Sequence, residues 1–186
     1  MKQVFLLALV LVFATGTTVV AQSTEKPDPW AGVRFLIGTW DAKTTGGSAK
    51  AQGTGTYSFR LELRDHVLAR HSEESTCKGP EDFNCEHGDL LYLYPEGPTQ
   101  ALRAIYFDNE GHVIHYSVTV PKTGSVVLLS NGDGPGPQFR LSYELTGDGI
   151  AGRFQIRIPG QEEFSTYLEW SGGKKGETVQ LIDVSV

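Results

Sequence analysis

Several common patterns are missing from this sequence of 186 residues. After the N-terminal segment, no stretch repeats apolar residues at the 3.6-residue period of an amphipathic helix, and neither βαβ alternation nor an internal repeat occurs. Also absent are Gly-x-Ser-x-Gly, His-Glu-x-x-His, the phosphate-binding loop and the dinucleotide fingerprint. These absences argue against all-α and α/β folds, and they leave no enzymatic signature and no catalytic residue to name.

Clustered positive charge is also missing. The chain has 16 Lys and Arg against 22 Asp and Glu, for a formal net charge of −6. The basic residues are scattered, apart from the pair Lys174-Lys175. A mildly acidic surface without a basic patch disfavours nucleic acid and anionic membranes as partners.

The N-terminus has the pattern of an export signal. Lys2 precedes an apolar run over residues 4–14, and Val19-Val20-Ala21 places small residues where a signal peptidase cleaves. The run is too short for the alternative, a transmembrane anchor. We therefore expect a signal peptide over residues 1–21, a secreted or periplasmic protein, and no membrane insertion after cleavage.

The chain has only two cysteines, and export changes how they are interpreted. Cys77 and Cys85 flank a polar segment, and in an oxidising compartment a disulfide between them is expected. The alternative is a metal site that adds His87, but this spacing matches no standard zinc pattern. No metal site is therefore predicted.

What the chain does have is a long series of strand-length runs separated by turns. Residues 54–64 alternate strictly, with Tyr57, Phe59 and Leu61 on one face, and Asn109-Glu110-Gly111 is typical of a hairpin turn. About 8–10 such strands predict an all-β, antiparallel up-and-down barrel, with a two-sheet sandwich as the alternative. Asp28 and Pro29 predict a short plug helix over residues 29–36. The predicted organisation is a linker at 22–29, the barrel at 30–171, and a tail or extra strand at 172–186.

Phe35-Leu36-Ile37-Gly38-Thr39-Trp40, followed by an antiparallel meander, resembles the lipocalin-like, or calycin, barrels. Val67-Leu68-Ala69-Arg70, His87-Gly88-Asp89-Leu90 and residues 103–116 are similar to a group of secreted bacterial lipocalin-like proteins. Nitrobindin-type haem barrels are more distant, because their glycine-rich ribbon directly after the tryptophan is not reproduced. The resemblance implies that Trp40 packs across one barrel end, under a basic side chain such as Lys174 or Lys175.

Strand alternation predicts which polar side chains point into the barrel. The candidates for a ligand-binding interior are Tyr57, Tyr106, His112, Tyr116 and Tyr143. Hydroxyls among aliphatic walls suit a small hydrophobic or amphipathic molecule, bound without covalent chemistry and without a cofactor.

Four alternatives stay open at this point. In the first, the tyrosines fill a closed core, as happens in small barrels. In the second and third, His112 on the inner face ligates haem, or it acts with a tyrosine as an acid–base pair in an enzyme. The fourth is a structural or protein-interaction module. His115 falls on the face opposite to His112, so the two histidines do not form a metal pair.

Overall fold

The computed structural model of the protein describes residues 28–132, 134–147 and 149–176, without side-chain detail for residues 73–75. The predicted signal peptide, nearly all of the predicted linker and the last ten residues lie outside the described residues. Within the described ranges, no helix is long and apolar enough to cross a membrane.

Ten antiparallel strands form a closed barrel in which sequence neighbours pair with each other and β1 pairs with β10. This confirms the prediction of an all-β, up-and-down barrel, at the upper end of the expected strand number, and the two-sheet sandwich is wrong. The strands are β1 (Gly38–Gly46), β2 (Gln52–Glu62), β3 (Val67–Lys78), β4 (Asp89–Glu96), β5 (Ala101–Asp108), β6 (Val113–Lys122), β7 (Ser125–Ser130), β8 (Gln138–Thr146), β9 (Gly149–Arg157) and β10 (Ser165–Gly173).

The barrel closes at a seam between its first and last strands. Lys43 pairs with Ser171, and beyond the end of β10 Lys174 still forms a bridge with Trp40. At this seam a Cβ on Gly172 would lie 1.9 Å from the carbonyl oxygen of Asp41, so only glycine allows the strands to approach this closely.

The plug at the N-terminal end of the barrel differs from the prediction. The predicted helix is not formed: residues 29–33 are turns, and only Arg34–Leu36 form a single 3₁₀ turn. Fewer than two turns cannot repay the cost of helix nucleation, so packing alone organises this segment. Trp30 is buried, and its indole nitrogen donates to the carbonyl of Asp65, 2.9 Å away, in the turn between β2 and β3.

A second difference lies where β2 ends. The alternating pattern predicts a strand through Arg64, with Leu63 on the inner face. Instead, Leu63, Arg64 and Asp65 adopt φ values of 50°, 56° and 63°, and Leu63 is 75% exposed. Left-handed conformations end a strand, and the Trp30–Asp65 hydrogen bond stabilises this turn.

The hydrophobic core fills the end of the barrel beside the plug. Its largest buried side chains come from the plug and from strands all around the wall. They include Trp30, Leu36, Trp40, Phe59, Leu68, Leu91, Leu93, Val126, Leu128 and Ile150. The opposite end carries the longer loops, and there the interior is not filled.

Candidate ligand-binding cavity

A cavity of about 500 Å³ occupies the part of the barrel away from the plug. Its deep end is formed by Tyr57, Tyr143 and Trp170, and its rim by the disulfide loop and the turn between β5 and β6. This volume falls within the range of small-molecule sites, which is about 300–1,000 Å³. The interior is therefore large enough for a ligand.

All five side chains predicted to face the interior border this cavity, although in different ways. Tyr57, Tyr116 and Tyr143 are almost fully buried, Tyr106 is partly buried, and His112 stands at the rim. Apolar wall is added by Ile114, Phe139, Leu141, Phe154 and Ile156.

The deep end is built from aromatic rings in edge-to-face contact. The ring of Tyr143 packs against Phe59 at 5.4 Å and against Trp170 at 5.9 Å between centroids, and Tyr57 lies 6.3 Å away. Gly152 makes room for Trp170, because a Cβ there would lie 2.2 Å from the indole. These contacts pack the phenol rings into the deep wall of the cavity.

A buried ion pair between two strands is the main feature that the sequence reasoning missed. Arg70 of β3 donates to a carboxylate oxygen of Asp89 at 2.6 Å, and Ser72 donates to the other oxygen at 2.8 Å. The two charged side chains are only 13% and 14% exposed. The sequence contained one signal for this pair. Arg70 shares the inward alternation of Leu68 in β3, and Asp89 shares that of Leu91 and Leu93 in β4.

The two partners hold each other in the charged state. Burial alone would raise the pKa of Asp89, but the Arg70 charge and the hydrogen bonds from Arg70 and Ser72 lower it overall. Burial would likewise lower the pKa of Arg70, yet the Asp89 charge raises it. The pair is therefore ionised across the physiological pH range.

Three hydrogen-bond donors beside this pair have no acceptor in the described part of the chain. They are the hydroxyls of Tyr57 and Tyr143 and the Nε of Arg70. The indole of Trp170 lies near the Tyr57 hydroxyl without completing a bond of normal geometry. These atoms have almost no water-accessible surface, so a ligand reaches them only if the rings shift slightly. Each unpaired donor costs about 1–3 kcal/mol.

The phenols of the cavity stay protonated. Burial is the main cause that raises the pKa of Tyr57, Tyr106, Tyr116 and Tyr143. The negative charge of Asp89 adds to this rise at Tyr106 and Tyr116. These groups can therefore donate hydrogen bonds but do not act as tyrosinate nucleophiles.

The loop closed by the disulfide forms part of the rim of the cavity. Cys77 and Cys85 are bonded to each other, as predicted. Within this loop, Phe83 stacks on Tyr167 of β10 with centroids 6.4 Å apart. The loop is thus fixed covalently at its base and by aromatic contact at its tip.

A hydrogen-bonded chain at the rim joins the segment after the disulfide to the β5–β6 turn. Glu110 lies 2.8 Å from Nδ1 of His87, and Nε2 of His87 lies 3.0 Å from the hydroxyl of Tyr106. His87 and Asn84 lower the pKa of Glu110, so its carboxylate accepts and Nδ1 must carry the proton. In the neutral ring Nε2 then accepts from Tyr106.

His112 does not take the position that the sequence predicted for it. It belongs to the turn before β6, its side chain is 61% exposed, and its Nδ1 lies 2.9 Å from Asp108. The turn ends one residue later than expected, so His112 is not part of the inward-facing series. It is His87, rather than His112, that meets a tyrosine. No group of three or more metal-ligating side chains is present among the described residues.

At the plug end, Trp40 is buried, and its indole nitrogen donates to the carbonyl of Leu36 at 2.7 Å. The ammonium of Lys174 lies 5.6 Å from the centroid of the Trp40 ring. Trp40 thus packs across the barrel end beneath a basic side chain, in the arrangement that the resemblance implied.

A second concavity, of about 560 Å³, lies outside the barrel interior along the β1–β2 and β1–β10 edges. Threonines, glycines and the surface pair Asp41 and Lys43 line it. It has no aromatic wall, so the interior cavity is the better candidate site.

No known protein family matches the sequence, and no curated protein is significantly similar to it.

Proposed function

We propose that this protein binds a small hydrophobic or amphipathic molecule in the barrel interior, without covalent chemistry. The observation that carries the proposal is the cavity of about 500 Å³, with aromatic and aliphatic walls and a polar cluster at its deep end. Such a cavity argues against the alternative of a filled core. Tyr57, Tyr106, Tyr116 and Tyr143 are the proposed lining, with His112 at the rim.

The resemblance to lipocalin-like barrels supports this function, since that architecture holds small ligands inside. The disulfide and the export-like N-terminus favour a secreted or periplasmic binding protein. The haem and enzyme alternatives both depended on His112, whose described contacts are with Asp108 in an exposed turn.

A fluorescence titration with N-phenyl-1-naphthylamine tests the proposal. This uncharged probe brightens in apolar surroundings. We expect saturable binding at one site per chain, with a Kd of about 1–10 μM, which corresponds to roughly 7–8 kcal/mol of binding free energy.

Two neighbouring variants place the probe inside or outside the barrel. Ile114→Trp fills the cavity wall, whereas Val113→Trp adds the same group to the outer face, where Val113 is 55% exposed. Ile114→Trp should weaken binding at least about tenfold and Val113→Trp should not. Equal affinity in both variants, or no saturable binding by the parent, would refute binding in the interior.

A further inference from the structure

We propose that the cavity selects ligands with an uncharged hydrogen-bond acceptor, such as an amide, ketone or ester carbonyl, and rejects anions. This inference rests on the proposed function and names the ligand class of the same site. It follows from three observations: the charge balance of the deep end, the charges at the rim, and the kind of polar atom left without a partner.

The deep end offers no free positive charge. Among the described residues that line the cavity, Arg70 is the only lysine or arginine, and it is already bound to Asp89. Ser72 occupies the second oxygen of that carboxylate. An entering anion would have to displace Asp89, or else leave an excess negative charge in a region of low dielectric constant.

The rim adds negative charge. Asp82, Asp108 and Glu110 join Asp89 among the residues that border the cavity, so four carboxylates face one arginine. The histidines at the rim, His87 and His112, are each hydrogen-bonded to one of these carboxylates. An anionic ligand therefore meets an excess of carboxylates at the rim as well as at the deep end.

All three unpartnered polar atoms can donate, and the Nε of Arg70 can only donate, so together they need an acceptor. They are the hydroxyls of Tyr57 and Tyr143 and the Nε of Arg70, which lie on adjoining parts of the deep wall. A ligand ammonium has no lone pair to offer them, whereas a carbonyl oxygen accepts two hydrogen bonds without bringing a net charge. An uncharged acceptor thus fits both the charge balance and the donor set.

A series of ten-carbon competitors tests this selectivity. Decanamide, decanoate and decylamine share one alkyl chain and differ in the head group, and each can displace bound N-phenyl-1-naphthylamine at pH 7. We expect decanamide to displace the probe at least about tenfold more effectively than decanoate, and also more effectively than decylamine. Tighter binding of decanoate or decylamine would overturn the inference while leaving the interior site intact. Failure of the probe to bind would overturn both.

Two variants connect the selectivity to particular charges. Asp89→Asn frees Arg70 and should shift the preference at least about tenfold towards decanoate. Asp82→Asn alters only an exposed rim carboxylate, so it should fold normally and shift the preference the same way, by a smaller amount that added salt reduces. Glu144→Gln makes the same charge change on the Lys122 pair away from the cavity and should change nothing. An unchanged preference in Asp82→Asn and in any folded Asp89→Asn protein would contradict the inference.

Discussion

At the scale of single residues, the interior pair Arg70–Asp89 dominates the chemistry of the barrel. The two opposite charges lie 2.6 Å apart, and both side chains are nearly buried. They stay paired because either one alone would be an uncompensated charge in an apolar wall. The tyrosines around the pair were predictable from alternation. The pair itself was not recognised, because a charged residue inside a barrel contradicts the simple pattern of apolar-in and polar-out.

At Tyr143, the effect of ring packing can be measured apart from the effect of the hydroxyl group. Its ring contacts three aromatic side chains but its hydroxyl has no partner in the described structure. Tyr143→Phe should therefore raise the free energy of unfolding by up to about 1–3 kcal/mol, because it removes an unpaired buried hydroxyl, and should weaken binding of decanamide. Tyr143→Ala should cost about 3–5 kcal/mol, because it leaves a cavity in a packed cluster. Urea unfolding and probe displacement give both quantities; a Phe variant that unfolds as easily as the Ala variant would contradict the hydroxyl assignment.

The ion pair predicts how stability depends on pH. The pKa of Asp89 is lowered from its reference value of 3.8, so the folded state binds the proton less readily than the unfolded state. Its contribution is complete well above pH 3.8 and is lost as the pH falls through the lower folded pKa. Urea unfolding between pH 7 and pH 2.5 should show this loss. In Asp89→Asn that component should disappear, and stability at pH 7 should fall by about 3–5 kcal/mol.

The exposed pair Lys122–Glu144 provides the control for this experiment. Glu144→Gln removes a surface carboxylate whose partner is also exposed, so it should leave stability almost unchanged at every pH. An acid profile of Asp89→Asn that parallels the parent profile would show that the pair does not govern acid stability.

At the scale of elements, hairpin turns and alternation determined most of what could be predicted. The register of a strand is clear where one face is apolar and the other polar, and the buried positions of Tyr57 and Phe59 in β2 and of Leu141 and Tyr143 in β8 agree with the alternation. Boundaries failed where local backbone geometry decided them. Three successive left-handed residues end β2 early, and the plug forms turns rather than a helix.

The disulfide loop predicts a measurable change at the rim. Replacing Cys77 and Cys85 together by Ser should lower the free energy of unfolding by about 2–3 kcal/mol, because the unfolded chain regains the freedom of a short loop. Since the loop borders the cavity, dissociation of N-phenyl-1-naphthylamine should also become faster in stopped-flow experiments.

Phe83→Ala distinguishes the tip of this loop from its base. It removes the stacking on Tyr167 but keeps the disulfide, so it should speed dissociation of the probe with little effect on global stability. Dissociation rates that do not change in either variant would show that the loop does not control entry.

At the scale of the whole molecule, closure of the barrel depends on the close approach of β10 to β1. Gly172→Ala would force a methyl group against the Asp41 carbonyl, and should cost more than about 2 kcal/mol. Gly173→Ala is the matched control, because a Cβ there meets nothing within 4 Å. Thermal unfolding compares the two. If both variants unfold at the same temperature, the seam is not as tight as described.

Whether the interior holds a ligand is the central claim, and the tyrosines can report on it directly. Five of the seven, Tyr57, Tyr106, Tyr116, Tyr143 and Tyr167, border the cavity, whereas Tyr92 and Tyr94 do not. We would record intermolecular NOEs between N-phenyl-1-naphthylamine and tyrosine rings in a ring-labelled sample. The account predicts NOEs to the tyrosines inside the barrel and none to Tyr92 and Tyr94. NOEs confined to Tyr92 and Tyr94, or none at all under saturating probe, would contradict it.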